Sequence, residues 1–318
     1  MQETTATREA YGQALVELGR RYSEVVVLDA DLSKSTRTAL FAGEFPLRFF
    51  NLGISEADMM GTAAGLAASG YIPFASTFGV FATGRVYDQI RNSIAYPRLN
   101  VKIVATHTGI TVGEDGASHQ ALEDIALMRV LPNMTVVAPA DGYQTAQAVK
   151  AIAAYNGPVY LRLGRPKVPR VIPPELPFTL GKAQLLRPGR DLTLVAAGIM
   201  VGIALEAAAL LQAEGLEAAV LNMHTIKPLD GDLLLQQAMR TGAVVTAEEH
   251  SIIGGLGGAV AELLGESYPV PVLRAGIRDI FGQSGTPEAL MQKYGLTAQA
   301  LVQLARAAVQ MKSQNSKV

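Results

Sequence analysis

Apolar runs rich in Val, Ile and Leu alternate with helix-period stretches along almost the whole chain. Val25-Val26-Val27-Leu28, Val101-Lys102-Ile103-Val104-Ala105, Thr135-Val136-Val137 and Val159-Tyr160-Leu161 predict strands. Between them Arg8 to Tyr22, Ser55 to Ala68, Arg85 to Tyr96, Leu122 to Val130 and Gly142 to Tyr155 predict helices. Strands apolar at consecutive positions belong to a parallel sheet covered on both faces. Pro166, Pro169, Pro173, Pro174 and Pro177 then forbid helix and central strand alike, which predicts a semi-rigid linker. Beyond it the alternation resumes, with strands at Leu192 to Ala197, Ala218 to Leu221, Ala243 to Ala247 and Val272 to Ala275, and a helix at Ile199 to Ala213. Thr286-Pro287-Glu288 carries an N-cap and a proline at the first helical position. Thr297 caps a final helix, Ala298 to Met311, leaving a frayed tail from Lys312 to Val318. The pattern predicts an α/β chain of two three-layer domains: a parallel-sheet domain over 1–178 with its proline-rich linker, and a smaller, mostly parallel one over 182–318.

Composition narrows the function classes. A chain of 318 residues is long enough for two cores. Lys and Arg number 27 against 28 Asp and Glu, a net charge of −1, which argues against a nucleic-acid surface or a polybasic membrane face. The absence of cysteine excludes disulfides, zinc–thiolate and iron–sulfur sites and a thiol nucleophile. Met59 to Gly84 is uncharged and long enough to span a bilayer. Its five glycines, five Ser/Thr and Pro73 suit a buried helix, a turn and a strand, so it reads as core. Met1 to Tyr11 is polar and lacks the apolar segment of a secretory signal, which makes a soluble cytoplasmic protein the expectation.

Ligands of parallel α/β sheets collect at the C-terminal ends of strands. In the first half those ends are loaded. Asp29 to Arg37 follows the first strand, and Asn51 to Met59 places Glu56 in the first turn of an apolar helix. Ser76 to Phe81 holds Phe78 and Phe81 three apart; Thr106 to Gln120 holds two of the four histidines, His107 and His119, with Glu114 and Asp115; Arg162 and Arg165 leave the last strand. Taken singly, each has an ordinary explanation, such as a first-turn Glu complementing the helix dipole. Their concentration in five consecutive loops points to one site. The second half is sparser: His224 and Glu248-Glu249-His250 either border the active site or a subunit contact or, the more ordinary reading, make strand-end hydrogen bonds, and the apolar helix Ile199 to Leu211 reads as a dimerisation surface.

The segments Gly53-Ile54-Ser55-Glu56-Ala57-Asp58-Met59, His107 to Gln120, and Leu131-Pro132-Asn133-Met134 leading into Pro139-Ala140-Asp141-Gly142 resemble the pyrimidine-binding domain of transketolase. Ile226-Lys227-Pro228-Leu229-Asp230 and Gly254-Gly255-Leu256-Gly257 resemble its C-terminal domain, so the likeness covers essentially the whole chain. It implies the thiamine diphosphate-binding fold and that cofactor. Glu56 then matches the glutamate that hydrogen-bonds the ring nitrogen of the aminopyrimidine and so activates the thiazolium carbon. Phe81 matches the stacking aromatic, Phe78 lines the same pocket, and Asp31 matches a cofactor-side acid. Arg8, Ser35, His107 and Arg165 match the sugar-phosphate ligands. Asp115 matches the acid reading a sugar hydroxyl, and His119 a histidine suited to proton transfer at the cleaved bond. Gly84 departs from the family, which often has a third aromatic there.

The family's diphosphate and metal motif, Gly-Asp-Gly with an Asn well downstream, has no counterpart here; Ala140-Asp141-Gly142 meets its first Asn too early, at Asn156. The resemblance therefore implies the C-terminal subunit of a split transketolase. An N-terminal partner subunit would hold Mg2+ or Ca2+ in an α2β2 heterotetramer, working on sugar phosphates such as xylulose 5-phosphate in the pentose phosphate pathway. Alternatives are the β subunit of a 2-oxo acid dehydrogenase, a 1-deoxyxylulose-5-phosphate synthase-like fragment, and a non-catalytic scaffold subunit of the same fold.

Overall fold

The computed structural model describes residues 4–315. The first half opens with β1 (Thr4–Ala6), α1 (Thr7–Arg21), β2 (Val25–Asp29), the short α2 (Ser33–Thr36) and α3 (Ala39–Glu44), then β3 (Phe49–Asn51), α4 (Glu56–Ala68) and β4 (Ile72–Phe78). It continues through α5 (Tyr87–Gln89), β5 (Lys102–Thr106), α6 (Asp124–Val130), β6 (Thr135–Val137), α7 (Gly142–Ala154), β7 (Val159–Arg162) and β8 (Lys167–Pro169). The second half holds β9 (Gln184–Arg187), β10 (Leu192–Ala196), α8 (Met200–Ala213), β11 (Ala218–Asn222), β12 (Thr225–Lys227) and α9 (Gly231–Thr241). It closes with β13 (Val244–Ser251), α10 (Leu256–Ser267), β14 (Val272–Ile277), α11 (Pro287–Lys293) and α12 (Ala298–Asn315).

Seven strands form the first sheet in the order β12-β6-β7-β5-β4-β2-β3, parallel except for β12. Its strands are apolar at successive positions because both faces are covered. Val25, Val27 and Phe74 pack with Tyr11 and Leu15 of α1 and Ile152 of α7. Val26, Leu28 and Ala75 pack on the other side with Met59, Met60 and Ala63 of α4 and Met128 of α6. The chain runs from β2 to the edge strand β3, then returns to β4 on the other side of β2. In sheets of this kind, ligands bind beyond the carboxyl ends of the strands at such a reversal, here those of β2 and β4.

The second sheet runs β14-β13-β10-β11-β9, with only β9 antiparallel. The two-domain α/β architecture with mostly parallel sheets agrees with the sequence pattern, and several details differ. The division at 178–182 is crossed by β12, which pairs with β6 on the edge of the first sheet. The linker is tied down: β8 pairs with β1, and Asp141 Oδ2 accepts hydrogen bonds from the amides of Val171 (2.7 Å) and Ile172 (2.9 Å). Arg85 to Tyr96 is not one α-helix but a π-helical turn (Phe81–Arg85), α5 and a second π-helical turn (Ile90–Ala95). Helix α12 continues through Lys312 to Asn315; the rest of the tail read as frayed lies outside the described residues. Most apolar residues of α8, including Met200, Val201, Ala204 and Leu211, are buried in the core of their own domain. No helix of the described residues is long and apolar enough to cross a membrane; Met59 to Gly84 becomes the end of α4, a turn, β4 and the π-helical turn.

Candidate active site

The loop after β3 delivers Glu56 at the start of α4. Asn51 Oδ1 accepts from the amides of Asp31 (3.1 Å) and Gly53 (3.0 Å), stitching the loops after β2 and β3 together. Glu56 is 3% exposed, and both its carboxylate oxygens accept from Arg85 Nη1, each at 2.9 Å. The Arg85 guanidinium lies 4.2 Å from the Phe81 ring centroid. Phe81 is 6.2 Å from Phe78 in a stacked pair, and Phe78 stacks on His107 at 3.9 Å. His119 meets Phe81 edge-on at 5.5 Å. These contacts, through Arg85, join Glu56, Phe81, Phe78, His107 and His119 into one continuous set drawn from three strand ends, those of β3, β4 and β5.

His107 adopts a left-handed backbone conformation (φ 53°), and its Nδ1 is 2.9 Å from Thr106 Oγ1. Burial, reinforced by Arg8, Arg165 and His119, pushes its imidazole down to about 3, so the ring is neutral near pH 7. Beside it, Arg8 donates to the carbonyls of Ser35 (2.7 Å) and Arg165 (3.3 Å). Burial, then the neighbouring Arg37 and Arg165, lowers the Arg8 guanidinium, as expected where like charges gather. Arg165 reaches Val112 O and Glu114 (3.2 Å). The half-buried guanidiniums of Arg8 and Arg165 thus gather beside Ser35 and the buried, neutral His107. Arg162, in contrast, is 7% exposed and spent on Asp124 (2.8 and 3.2 Å), which removes it as a surface anion ligand. Asp31 (φ 61°) is exposed and bonded to Asn51, while Asp115 is exposed on the histidine loop and makes no hydrogen bond among the described residues.

Two features escaped the sequence reading, the role of Arg85 and the hold of the second domain on the histidine loop. Arg85 was hidden inside a stretch read as ordinary helix. Gly84, where the family often has an aromatic, is exposed, and a Cβ there would meet nothing within 4 Å. The second domain also grips the histidine loop: Glu249 Oε1 accepts from the Thr111 amide at 2.7 Å, and Gln120 Nε2 bridges to Gln283 O at 2.9 Å. A Cβ on Gly109 would lie 2.2 Å from the Glu249 carboxylate, so only glycine allows this approach. Glu249 and His250, which accepts from the Ala126 amide (3.3 Å), are therefore interdomain contacts rather than mere strand-end bonds. Glu248 instead caps α10 through Leu256 and Gly257, and buried His224 rests 4.2 Å from Phe178.

Residues 3–170 match the family "Transketolase, pyrimidine binding domain", and residues 181–301 match "Transketolase, C-terminal domain". The chain belongs to the transketolase family. A solved split-gene transketolase, described as an inactive β4 tetramer, superposes with a TM-score of 0.91 at 59% identity, covering 96% of this chain and 99% of that one. The 6-deoxy-6-sulfo-D-fructose transketolase subunit of Clostridium sp. strain MSTE9 is 47% identical over 96% of this chain and 95% of its own length. Human transketolase is 37% identical over 95% of this chain, which spans 48% of that protein.

A transketolase pyrimidine-binding domain implies thiamine diphosphate. The residues present fit its heterocyclic end: a buried carboxylate, Glu56, is linked through Arg85 to the half-buried ring of Phe81. Among the described residues no group of three or more His, Cys, Asp or Glu is placed to hold a metal ion. Asp141, the nearest imitation of a metal motif, is instead the N-cap of α7.

Proposed function

We propose that this chain is the C-terminal subunit of a two-chain transketolase. It moves a two-carbon ketol unit from a ketose phosphate to an aldose phosphate once joined to a partner that holds the cofactor's diphosphate through Mg2+ or Ca2+. The observation that carries the reading is the buried Glu56 carboxylate beside the Phe81 and Phe78 rings, next to the Arg8–Ser35–His107–Arg165 cluster.

When bound, thiamine diphosphate supplies the carbon nucleophile that the chain's own side chains lack. Glu56 holds the heterocycle's ring nitrogen by a shared proton, and burial keeps water from competing for it. Phe81 supports the ring face, worth about 1 kcal/mol beyond burial. Arg8 and Arg165 offer charge and Ser35 and neutral His107 offer hydrogen bonds to the substrate's terminal anion, each charge-assisted bond contributing roughly 1.5–3 kcal/mol. Asp115 reads a sugar hydroxyl, and His119, edge-on to Phe81, moves protons at the cleaved bond. Asp31 borders the cofactor side. The 47% identical relative is named for a sulfosugar, so the anion class extends to sulfonates and the donor need not be xylulose 5-phosphate.

The cationic cluster favours a sugar phosphate over the oxo acid of a dehydrogenase β subunit, and the intact carboxylate–aromatic set speaks against a scaffold. The test is ketol transfer from xylulose 5-phosphate by the purified chain with and without its partner. Turnover by the isolated chain would overturn the two-chain reading, and turnover of pyruvate by the complex would transfer the chain to the dehydrogenases.

A further inference from the structure

Glu56 needs a partner wherever it is buried, because a carboxylate removed from water is costly unless charge and hydrogen bonds replace the lost solvation. Arg85 supplies every hydrogen bond that the Glu56 carboxylate makes among the described residues. The pair is lopsided: the carboxylate is 3% exposed and the arginine side chain 48%. It differs from a surface salt bridge, in which water screens both ends.

The same guanidinium rests on the Phe81 ring. Phe81 and Arg85 open and close a single π-helical turn. They are four residues apart, so they share one side of the turn, and Gly84 places no side chain between arginine and solvent. Such turns recur at functional sites, where an extra residue in the helical path re-aims a side chain. An α-helical path would carry the Arg85 side chain further round the axis.

We propose that Arg85 is a positioning residue. Lying on Phe81, it clamps Glu56 as an oriented carboxylate, so that the acid and the ring meant for the cofactor's heterocycle are set as one unit. This rests on the cofactor reading above. Arg85 acts through Glu56 and Phe81.

The test uses the chain reconstituted with its partner, with thiamine diphosphate and Mg2+ as probe. Arg85→Met is expected to raise the cofactor Kd by calorimetry at least tenfold. At saturating cofactor it slows exchange of the cofactor's C2 proton, followed by quenched-flow NMR, at least tenfold. Arg85→Lys restores the charge but not the planar group that lies on Phe81, and regains part of the binding with little of the exchange rate. In the isolated chain the loss of Tm in Arg85→Met is expected to shrink when Glu56→Gln is already present, a coupling that needs no cofactor. Should Arg85→Met fail to fold, Arg85→Gln is read in the same way. Wild-type or tighter binding together with wild-type exchange would overturn the inference and leave the function standing. Failure of the wild-type complex to bind the cofactor would instead overturn the function on which it rests.

Discussion

Glu56→Gln changes little in shape and removes the charge that both Arg85 and a ring nitrogen would use. In the reconstituted complex kcat is expected to fall by at least a hundredfold, the span of a lost proton relay, and wild-type turnover would favour the scaffold alternative. His107 makes a second residue-scale prediction. Its ring is held down to about 3 against an ordinary 6.5, so by NMR it should not titrate between about pH 5 and 8. The unfolded ring gains its proton first, so this residue's stabilising share is complete above pH 6.5 and is lost as pH falls towards 3. Arg162 is the structural contrast. Burial alone would push the Asp124 carboxyl up, but Arg162 and His250 hold it below the usual range. Arg162→Met strands that charge, and chemical denaturation should show a loss of about 3–5 kcal/mol. Nothing in the sequence separates Arg162 from Arg165. Three residues apart at the end of β7, they are told apart by their surroundings: Asp124 captures the buried Arg162, while Arg165 stays half-buried beside Val112 and Glu114.

The elements were legible where period and caps agree. Helix α7 follows an Asp at the N-cap, strands β2 and β6 are short continuous apolar runs, and α11 begins after Thr286, whose side chain accepts from Ala289. Asp141 does more than local sequence tells: besides capping Gln144 it holds the linker amides of Val171 and Ile172. Asp141→Ala should therefore cost more than the ~1 kcal/mol of an ordinary cap, about 2–4 kcal/mol by thermal or chemical unfolding. The π-helical turn at Phe81–Arg85 was not legible. The backbone hydrogen-bond partner of a residue, whether four or five positions back, is chosen by how neighbouring elements pack, and apolar spacing does not distinguish the two over five residues.

On the scale of the whole molecule, the second domain holds the histidine loop of the first in place. Its Glu249 and Gln283 hold the loop that carries His107, Asp115 and His119. Glu249→Ala removes the acceptor of the Thr111 amide. It is expected to raise KM for the sugar phosphate about tenfold, the equivalent of one lost charge-assisted bond. Cofactor Kd should hold steady, and Glu249→Gln, which keeps an acceptor, should restore most of the loss. Equal damage to cofactor Kd would assign Glu249 to general stability instead. By itself the sequence determined the two α/β domains, the five chemically loaded strand ends and the family, because hydrophobic period, turn chemistry and short motifs are local properties of the chain. Tertiary structure alone decided that Arg85 grips Glu56, that Asp124 withdraws Arg162 from the surface, that β12 crosses to the first sheet and that Glu249 braces the histidine loop. Each of these pairs residues distant in the chain, and burial, not spacing, selects which charges meet.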